Sequence, residues 1–435
     1  MTEALVFHRV RAIDPSQELD QSCDVVVEDG RITRVGPDAG AALQGQPRVR
    51  VVRGDGRWLL PALVDQHVHL REPGHEYKEE IATGLAAAAA GGFAHVCAMP
   101  NTSPVNDTRA VTELMLSRAR ESIGARLHPI GAVTRGLQGQ QLTEMAELKE
   151  AGVVGVSDDG RCVLSSQVML RALEYARNFD LPLIQHAEDH ELTSGASMHE
   201  GEIATRLGLR GWPRVAEDWV IARDVMFAEY VGARYHAAHV STAGAVRIIR
   251  EAKSRGLSVT AEVTPHHLLL TDAACLGYDT ACRVAPPLRE AEDVQALREA
   301  LADGTIDSIA TDHAPHSPLE KDCEFAEASP GLIGLEFAFP LMLGLVREGA
   351  FSLERMIDAL SRRPARIVGI EPPRLAEGAL AEVALFDPES VWVPAETGIK
   401  SRSKNSPFMQ RRLQGRAVMT LVGGQVVHEA SGEGA

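Results

Sequence analysis

The sequence lacks the features that would place it in several large classes of protein. Its six cysteines, at positions 23, 97, 162, 275, 282 and 323, form no C-x-x-C pair, which argues against both a disulfide framework and a thiolate zinc site. No stretch approaches the roughly 20 apolar residues that span a bilayer. The first residues have neither the basic nor the apolar part of a secretory signal. We therefore expect a cytoplasmic protein that does not enter a membrane.

Positive charge is also scarce. The chain has 44 Lys and Arg residues against 60 Asp and Glu residues, a formal net charge of −16, and no run of basic residues stands out. This charge disfavours nucleic acid as a partner. It would also repel an anionic substrate at long range, so such a substrate would need a local arginine to hold it.

The two ends of the chain have β-strand patterns. DVVVEDGRITRVG reads as two strands joined by a Glu-Asp-Gly turn, and EVALFDPESVWV and RAVMTLVGGQVVHEA are again strand-like near the C-terminus. The length of 435 residues fits either one large barrel with such accessory strands or two to three ordinary domains. We predict one small β-sandwich domain built from residues 1–57 and 373–435.

Between the ends, short apolar runs alternate with longer helical stretches. Eight such runs each lead into a polar loop, beginning with WLLPALVDQHVHL and FAHVCAMPNT and ending with IDSIATDHAPHS. This rhythm predicts an α/β fold, a (β/α)₈ TIM-like barrel over residues 58–372, with its active site at the C-terminal ends of the strands. The alternative is a doubly wound open sheet. We favour the barrel because no G-x-G-x-x-G opens a helix, as a dinucleotide-binding sheet would require.

Ionisable side chains follow several of the predicted barrel strands. His67 and His69 point to the same side of their strand and could bind one ion, although an isolated H-x-H is weak evidence. The fourth strand ends in Ser-Asp-Asp-Gly, and His186, His239 and Asp312 end the fifth, sixth and eighth. Four histidines and two carboxylates at one barrel edge predict a site for one or two Zn²⁺-like ions, against the alternative of solvated loop residues.

The segments D-Q-H-V-H-L-R-E-P-G, A-M-P-N-T and A-T-D-H-A-P-H resemble the signature segments of dihydroorotases, in the cyclic amidohydrolase group. The resemblance covers nearly the whole chain. It implies that His67 and His69 bind one metal ion and that His186 and His239 bind the other. It also implies that Asp312 binds metal and transfers protons.

The end of the fourth strand distinguishes subgroups of this family. Many cyclic amidohydrolases bridge their metals there with a carboxylated lysine, whereas this chain has S-D-D-G. The resemblance is therefore to bacterial, class I dihydroorotases with an aspartate bridge, and it disfavours dihydropyrimidinases, hydantoinases and most allantoinases. We predict Asp159 as the bridge and Asp158 as its neighbour, although sequence does not separate adjacent carboxylates. Lys149, in the helical segment ELKEAG, is predicted to be solvated.

The same resemblance implies a binding site for the substrate carboxylate. Arg71, Asn101 and His316 would hold it, and a planar guanidinium suits that task. Pro330 and Gly331 match a loop whose backbone touches the substrate in relatives, with an ordinary turn as the alternative.

Two features of the chain qualify the resemblance. Ala285 stands where family members often have Asn, so a substrate contact there must come from the backbone. His266 and His267 are tempting as further ligands, but the ligand set is complete without them. We interpret them as residues that lie behind the ligands or pack in the core.

The resemblance thus implies the activity of the dihydroorotase family, the reversible hydrolysis of dihydroorotate to N-carbamoyl-aspartate in pyrimidine synthesis. It also implies one or two zinc ions, most simply two bridged by Asp159. The alternatives are another cyclic amidohydrolase, such as an allantoinase, and a non-catalytic subunit that supports aspartate transcarbamoylase. We expect a homodimer, with association with aspartate transcarbamoylase as a further option.

Overall fold

The structure, a computed structural model of the chain, describes residues 4–430. Its strands are β1 (Ala4–Asp14), β2 (Leu19–Glu28), β3 (Arg31–Gly36), β4 (Val49–Arg53), β5 (Trp58–Pro61), β6 (Leu63–Val68), β7 (Phe93–Ala98), β8 (Arg126–Gly131), β9 (Gly155–Ser157), β10 (Leu183–Gln185), β11 (Met198–His199), β12 (Gly211–Trp212), β13 (Tyr235–Ala237), β14 (Val259–Val263), β15 (Ser308–Ile309), β16 (Val383–Trp392), β17 (Leu413–Val422) and β18 (Gln425–Glu429). Its α-helices are α1 (Ile81–Ala90), α2 (Arg109–Arg120), α3 (Met145–Ala151), α4 (Ser166–Arg177), α5 (Glu202–Leu207), α6 (Val215–Val231), α7 (Ala243–Ser254), α8 (Pro265–Leu269), α9 (Ala291–Asp303), α10 (Pro318–Lys321), α11 (Ala338–Arg347), α12 (Leu353–Leu360) and α13 (Arg362–Ile367).

Eight parallel strands form the predicted barrel. Their order is β15-β14-β13-β10-β9-β8-β7-β6, and a parallel bridge between Val68 and His313 brings the first and last strands together. Each strand corresponds to one of the eight apolar runs, and a helix follows each one, so the fold-class prediction is confirmed. Because the strands are parallel, all their C-terminal ends lie at one mouth.

The prediction of a single strand over 58–70 was wrong in one respect. The chain changes sheets at Ala62: Leu60 pairs with Ala384 of β16, whereas Leu63 pairs with Phe93 of β7. An unbroken apolar run can supply two strands when both ends of it are buried, and the sequence pattern does not show where the partner changes.

Both chain ends meet in a second sheet, in the order β18-β17-β16-β5-β1-β2-β3, with β4 beside β1. The predicted hairpin turn is present, with positive φ at Asp29 (50°) and Gly30 (77°). The apolar side chains on one face of β1, β2, β16 and β17 form a core of their own. The domain boundaries after residues 57 and 372 stay a prediction. In the structure β5 belongs to this second sheet, and the first barrel strand begins at Leu63.

A pair of aromatic rings joins the second sheet to the barrel. Phe386 of β16 stacks on Phe339 of α11 with ring centroids 3.9 Å apart, and both rings are buried. A Cβ on Gly92, where the chain enters β7, would lie 2.3 Å from the Phe386 ring, so only glycine leaves room for it. Among residues 4–430, no helix has the length and apolar character needed to cross a membrane.

We predict that Phe386→Ala lowers the free energy of unfolding by about 3 to 5 kcal/mol, because it removes a fully buried ring and leaves a cavity. Denaturant titration would measure this change. Ile123→Ala is the matched control: Ile123 is 77% exposed, and the expected effect is within about 0.5 kcal/mol. Equal stability of the two variants would contradict the proposed role of the ring pair.

Candidate metal centre and substrate cavity

A cavity of about 540 Å³ opens at the C-terminal ends of the barrel strands. All the predicted site residues except His67, which lies deeper, are in its wall. The wall also contains residues that the sequence patterns did not single out for the site: Gly160, Arg161, Glu188, His190, Trp212 and Ala314.

The predicted ligands converge in two groups that share His67. Ligand atoms of His67, Asp159 and His239 all lie within 4.8 Å of one another, and so do those of His67, His69 and Asp312. The Nε2 atom of His67 is 3.2 Å from Asp159 Oδ1 and 3.6 Å from Asp312 Oδ1. Side chains from four strands therefore meet at one point.

His186 completes the cluster on the opposite side of Asp159. Its Nδ1 atom is 3.8 Å from Asp159 Oδ1 and 2.9 Å from His239 Nε2. The Nε2 atom of His239 is itself 3.6 Å from the same carboxylate oxygen. The Asp159 carboxylate thus lies between two sets of imidazoles, as a bridging ligand would.

The structure separates the two adjacent carboxylates. The Thr134 backbone N–H donates to Asp158 Oδ1 over 2.9 Å, and the Thr134 hydroxyl donates to Asp158 Oδ2. The carboxylate of Asp158 is therefore already bound outside the cluster. Burial alone would raise the pKa of Asp159, but the His67 and His69 imidazoles lower it well below its usual value. This geometry favours Asp159 as the bridge.

Two buried atoms at the centre indicate that a cation belongs there. His67 Nε2 and Asp159 Oδ1 have no hydrogen-bond partner among residues 4–430, and although they are close, they are not aligned to bond each other. Buried polar atoms without partners are costly, and a shared cation would satisfy both. Imidazole nitrogens and carboxylate oxygens are ligands that suit zinc.

Three oxygen atoms behind the cluster orient its histidines. His67 Nδ1 donates to Glu262 Oε1 over 2.6 Å, His69 Nδ1 donates to Asn101 Oδ1 over 2.9 Å, and His186 Nε2 donates to Glu188 Oε2 over 3.0 Å. Each bond fixes the N–H on the outer nitrogen and leaves the inner lone pair free for a metal.

Sequence reasoning missed Glu262 and Glu188 in this role. The signal for Glu262 was a lone acidic residue within the apolar strand β14, which is buried with no exposed surface. For Glu188 the signal was its spacing of two residues from His186, which places both side chains on the same side of an extended segment.

The backbone at the site is strained. His239, Asp312 and Arg71 have φ values of 32°, 47° and 64°. These lie in the left-handed region, which residues other than glycine rarely adopt. Each such residue costs about 1 to 3 kcal/mol. The surrounding packing therefore holds these three side chains in orientations that a relaxed backbone would not give.

The predicted substrate side chains form one wall of the cavity. Arg71 Nε donates to the carbonyl of Pro315 over 3.1 Å, and His316 Nε2 donates to the carbonyl of Pro330 over 2.9 Å. Burial lowers the pKa of His316 to about 2, helped by Arg71 and Lys78. His316 is therefore a neutral imidazole, and Arg71 supplies the positive charge of this wall.

The remaining sequence predictions concern residues outside the cluster. Lys149 is exposed on α3, as predicted, and Ala285 lines the cavity with only a methyl group. His267 is bound between the Thr264 hydroxyl (2.8 Å) and the Pro286 carbonyl (3.0 Å), which anchors the segment that carries Ala285. His266 is buried, and neither of its ring nitrogens has a partner within residues 4–430.

Comparison with known proteins identifies close relatives. A family model described as "Dihydro-orotase-like" matches residues 56–245. The chain is 54% identical over 432 residues to a dihydroorotase of Anaeromyxobacter dehalogenans, covering 99% of both chains. It is 51% identical to a dihydroorotase of Syntrophobacter fumaroxidans, covering 97% of this chain and 96% of the relative.

Solved structures share the fold at lower identity. An L-hydantoinase (dihydropyrimidinase) from Arthrobacter aurescens superimposes with a TM-score of 0.86 at 24% identity, covering 99% of this chain and 96% of that one. A dihydropyrimidinase from Brevibacillus agri gives a TM-score of 0.83 at 21% identity. At this identity the likeness concerns the fold alone.

We predict that Glu262→Gln weakens metal binding about 10- to 100-fold. The neutral amide oxygen is a weaker acceptor of the His67 N–H than the charged carboxylate. Metal content after dialysis against a graded chelator would measure the change. Glu147→Gln, an exposed carboxylate on α3, serves as the control and should match the unaltered chain. Equal metal retention by Glu262→Gln and the unaltered chain would contradict the role of Glu262.

Proposed function

The chain belongs to the dihydroorotase family, and we propose that the cluster at its barrel mouth catalyses the reversible hydrolysis of (S)-dihydroorotate to N-carbamoyl-L-aspartate, a step of pyrimidine synthesis. The observation that carries this proposal is the convergence of six ligand side chains beside a buried arginine in one cavity. The cluster supports hydrolysis, and the arginine supports a substrate that has a carboxylate.

We propose zinc as the metal, in a binuclear site. His67 and His69 would hold one ion, His186 and His239 the other, with Asp159 between them and Asp312 contributing a further oxygen. Bound ions of this kind lower the pKa of water towards about 7 and polarise an amide carbonyl.

Asp312 is suited to move the proton during catalysis. Burial alone would raise the pKa of its carboxyl, but His69, His67 and His239 lower it far below its usual value, so the group is a carboxylate at neutral pH. Its Oδ1 atom lies 3.1 Å from His69 Nε2 and its side chain lines the cavity. Asp312 accepts the proton of the attacking water and returns it to the leaving ring nitrogen. By microscopic reversibility, the same group serves ring closure.

The other wall of the cavity holds the substrate carboxylate. Arg71 provides the charge, and His316 and the backbone of Pro330 and Gly331 provide shape and hydrogen bonds. Asn101 uses its Oδ1 atom for His69, so its Nδ2 group is the part that faces the substrate.

The aspartate at the end of β9 also supports the class I assignment. A subgroup that bridges its metals with a carboxylated lysine needs that lysine at the cluster, whereas Lys149 is exposed on α3. The rival reaction, that of an allantoinase on a neutral ring, offers no carboxylate to pair with the buried Arg71 guanidinium. A non-catalytic supporting subunit leaves the two unpartnered central atoms, His67 Nε2 and Asp159 Oδ1, unexplained.

Assembly and location are proposals that rest on the family. We propose a homodimer, with binding to aspartate transcarbamoylase as a further association, in the cytoplasm. Light scattering of the purified chain, alone and mixed with that partner, would test both associations.

We predict that Asp312→Asn lowers turnover by about 10² to 10⁴, because an amide cannot take up the proton. Since ring opening and ring closure share one equilibrium constant, kcat/KM should fall by the same factor in both directions. Steady-state assays with dihydroorotate and with carbamoyl-aspartate would measure this, alongside metal content. His186→Ala should also nearly abolish turnover, in this case with loss of metal.

Asp180→Asn, on the surface, is the control for the aspartate substitution. Turnover at the unaltered rate in Asp312→Asn or His186→Ala would overturn the mechanism. An unaltered chain that retains metal but turns over neither substrate would overturn the function itself.

We predict that Arg71→Gln lowers kcat/KM for dihydroorotate at least about 30-fold, the loss expected when a buried charged partner is removed. Arg71→Lys should recover little, because an ammonium lacks the planar fork. The inhibition constant of dihydrouracil, the same ring without the carboxylate, should change little. If the affinity for dihydrouracil falls by the same factor as kcat/KM for dihydroorotate, Arg71 does not recognise the substrate carboxylate.

A further inference from the structure

A segment from the C-terminal part of the chain packs against the loops that carry one wall of the substrate cavity. Residues 399–408, which we call the strap, lie between β16 and β17. Ile399 and Phe408 at its two ends are buried in a core shared with Leu332, Ile333 and Phe337 of the barrel. Between these anchors, the strap runs beside the loops that follow β15.

One side chain of the strap, Asn405, binds two of these loops. The first loop is residues 314–316 and the second is residues 330–333. Its Oδ1 atom accepts the backbone N–H of His316 over 3.0 Å, and its Nδ2 group donates to the carbonyls of Ala314 (3.0 Å) and Gly331 (3.1 Å). Its backbone carbonyl accepts the N–H of Ile333 over 2.9 Å. The two ends of a single amide thus connect two loops that are also joined by the backbone bond from the Ala314 N–H to the Leu332 carbonyl (2.8 Å).

These loops carry the wall proposed to hold the substrate carboxylate. Arg71 donates to Pro315, which lies between the two residues of the first loop that Asn405 binds. The second loop includes Pro330, the acceptor of the His316 imidazole. The loops also touch closely: a Cβ on Gly331 would lie 2.6 Å from the Ala314 Cβ.

We propose that Asn405 is a positioning residue for the substrate-carboxylate wall, a role that rests on the proposed function. It touches neither the metal ligands nor the cavity. It acts through three hydrogen bonds from its side chain to backbone atoms. With the direct bonds between the two loops, these hold the geometry of Arg71, His316 and Gly331. Displacements of about 1 Å at such a wall are enough to cost up to 100-fold in rate.

The chemistry of the contact requires an amide at this position. An aspartate would keep the acceptor for His316 but set a carboxylate oxygen against the two carbonyls of Ala314 and Gly331. A serine could accept from His316 but is too short to reach both carbonyls. Alanine loses all three bonds, whereas the bond to Ile333 comes from the backbone and survives every substitution.

The test compares Asn405→Ala and Asn405→Ser with the unaltered, metal-loaded chain. We expect KM for dihydroorotate to rise about tenfold in Asn405→Ala and by an intermediate factor in Asn405→Ser, with kcat within about threefold. The inhibition constant of dihydrouracil, which has no carboxylate, should stay within about twofold, and metal content should be unchanged.

The control is Ser406→Ala in the same strap. The Ser406 hydroxyl accepts the Phe408 N–H, a bond within the strap itself. This substitution should leave KM unchanged. An unchanged KM in Asn405→Ala, equal losses for both rings, or a fall in kcat that tracks lost metal would overturn the proposal. Should Asn405→Ala fail to fold, the KM of Asn405→Ser decides, and an unchanged value contradicts the role. Failure of the unaltered chain to turn over dihydroorotate would instead count against the proposed function.

Discussion

The sharing of one carboxylate, that of Asp159, by imidazoles from opposite sides of the barrel is the interaction on which the rest of the site depends. Asp159 Oδ1 and His67 Nε2 are buried polar atoms with no hydrogen-bond partner in the described part of the chain, and a cation would satisfy both. The barrel keeps this arrangement because oxygens of Glu262, Asn101 and Glu188 hold the outer nitrogens of the histidines. A bound cation and these oriented hydrogen bonds together would offset the cost of burying charge.

The barrel supplies the rigidity that such a centre needs. Three residues of the candidate site, Arg71, His239 and Asp312, have left-handed backbone conformations, which persist only where the packing around them determines the geometry. The second sheet packs against the barrel through the ring of Phe386.

The cavity has two chemically distinct walls. One has the imidazoles and carboxylates of the candidate metal centre, and the other has the buried guanidinium of Arg71, a local positive charge in a chain of net charge −16. The first wall is built from the ends of strands. The second is built from loops, and it is held by backbone hydrogen bonds to Asn405, a residue from far along the chain.

The sequence by itself determined the eight barrel strands, the strand character of both chain ends and the identity of the residues that meet at the barrel mouth. It could do so because hydrophobic periodicity and side-chain chemistry are local properties. It left open which of Asp158 and Asp159 faces the cluster, missed the roles of Glu262 and Glu188, and merged β5 with β6. Those outcomes, and the contacts of Asn405, depend on which distant segments become neighbours, and only the tertiary structure decides that.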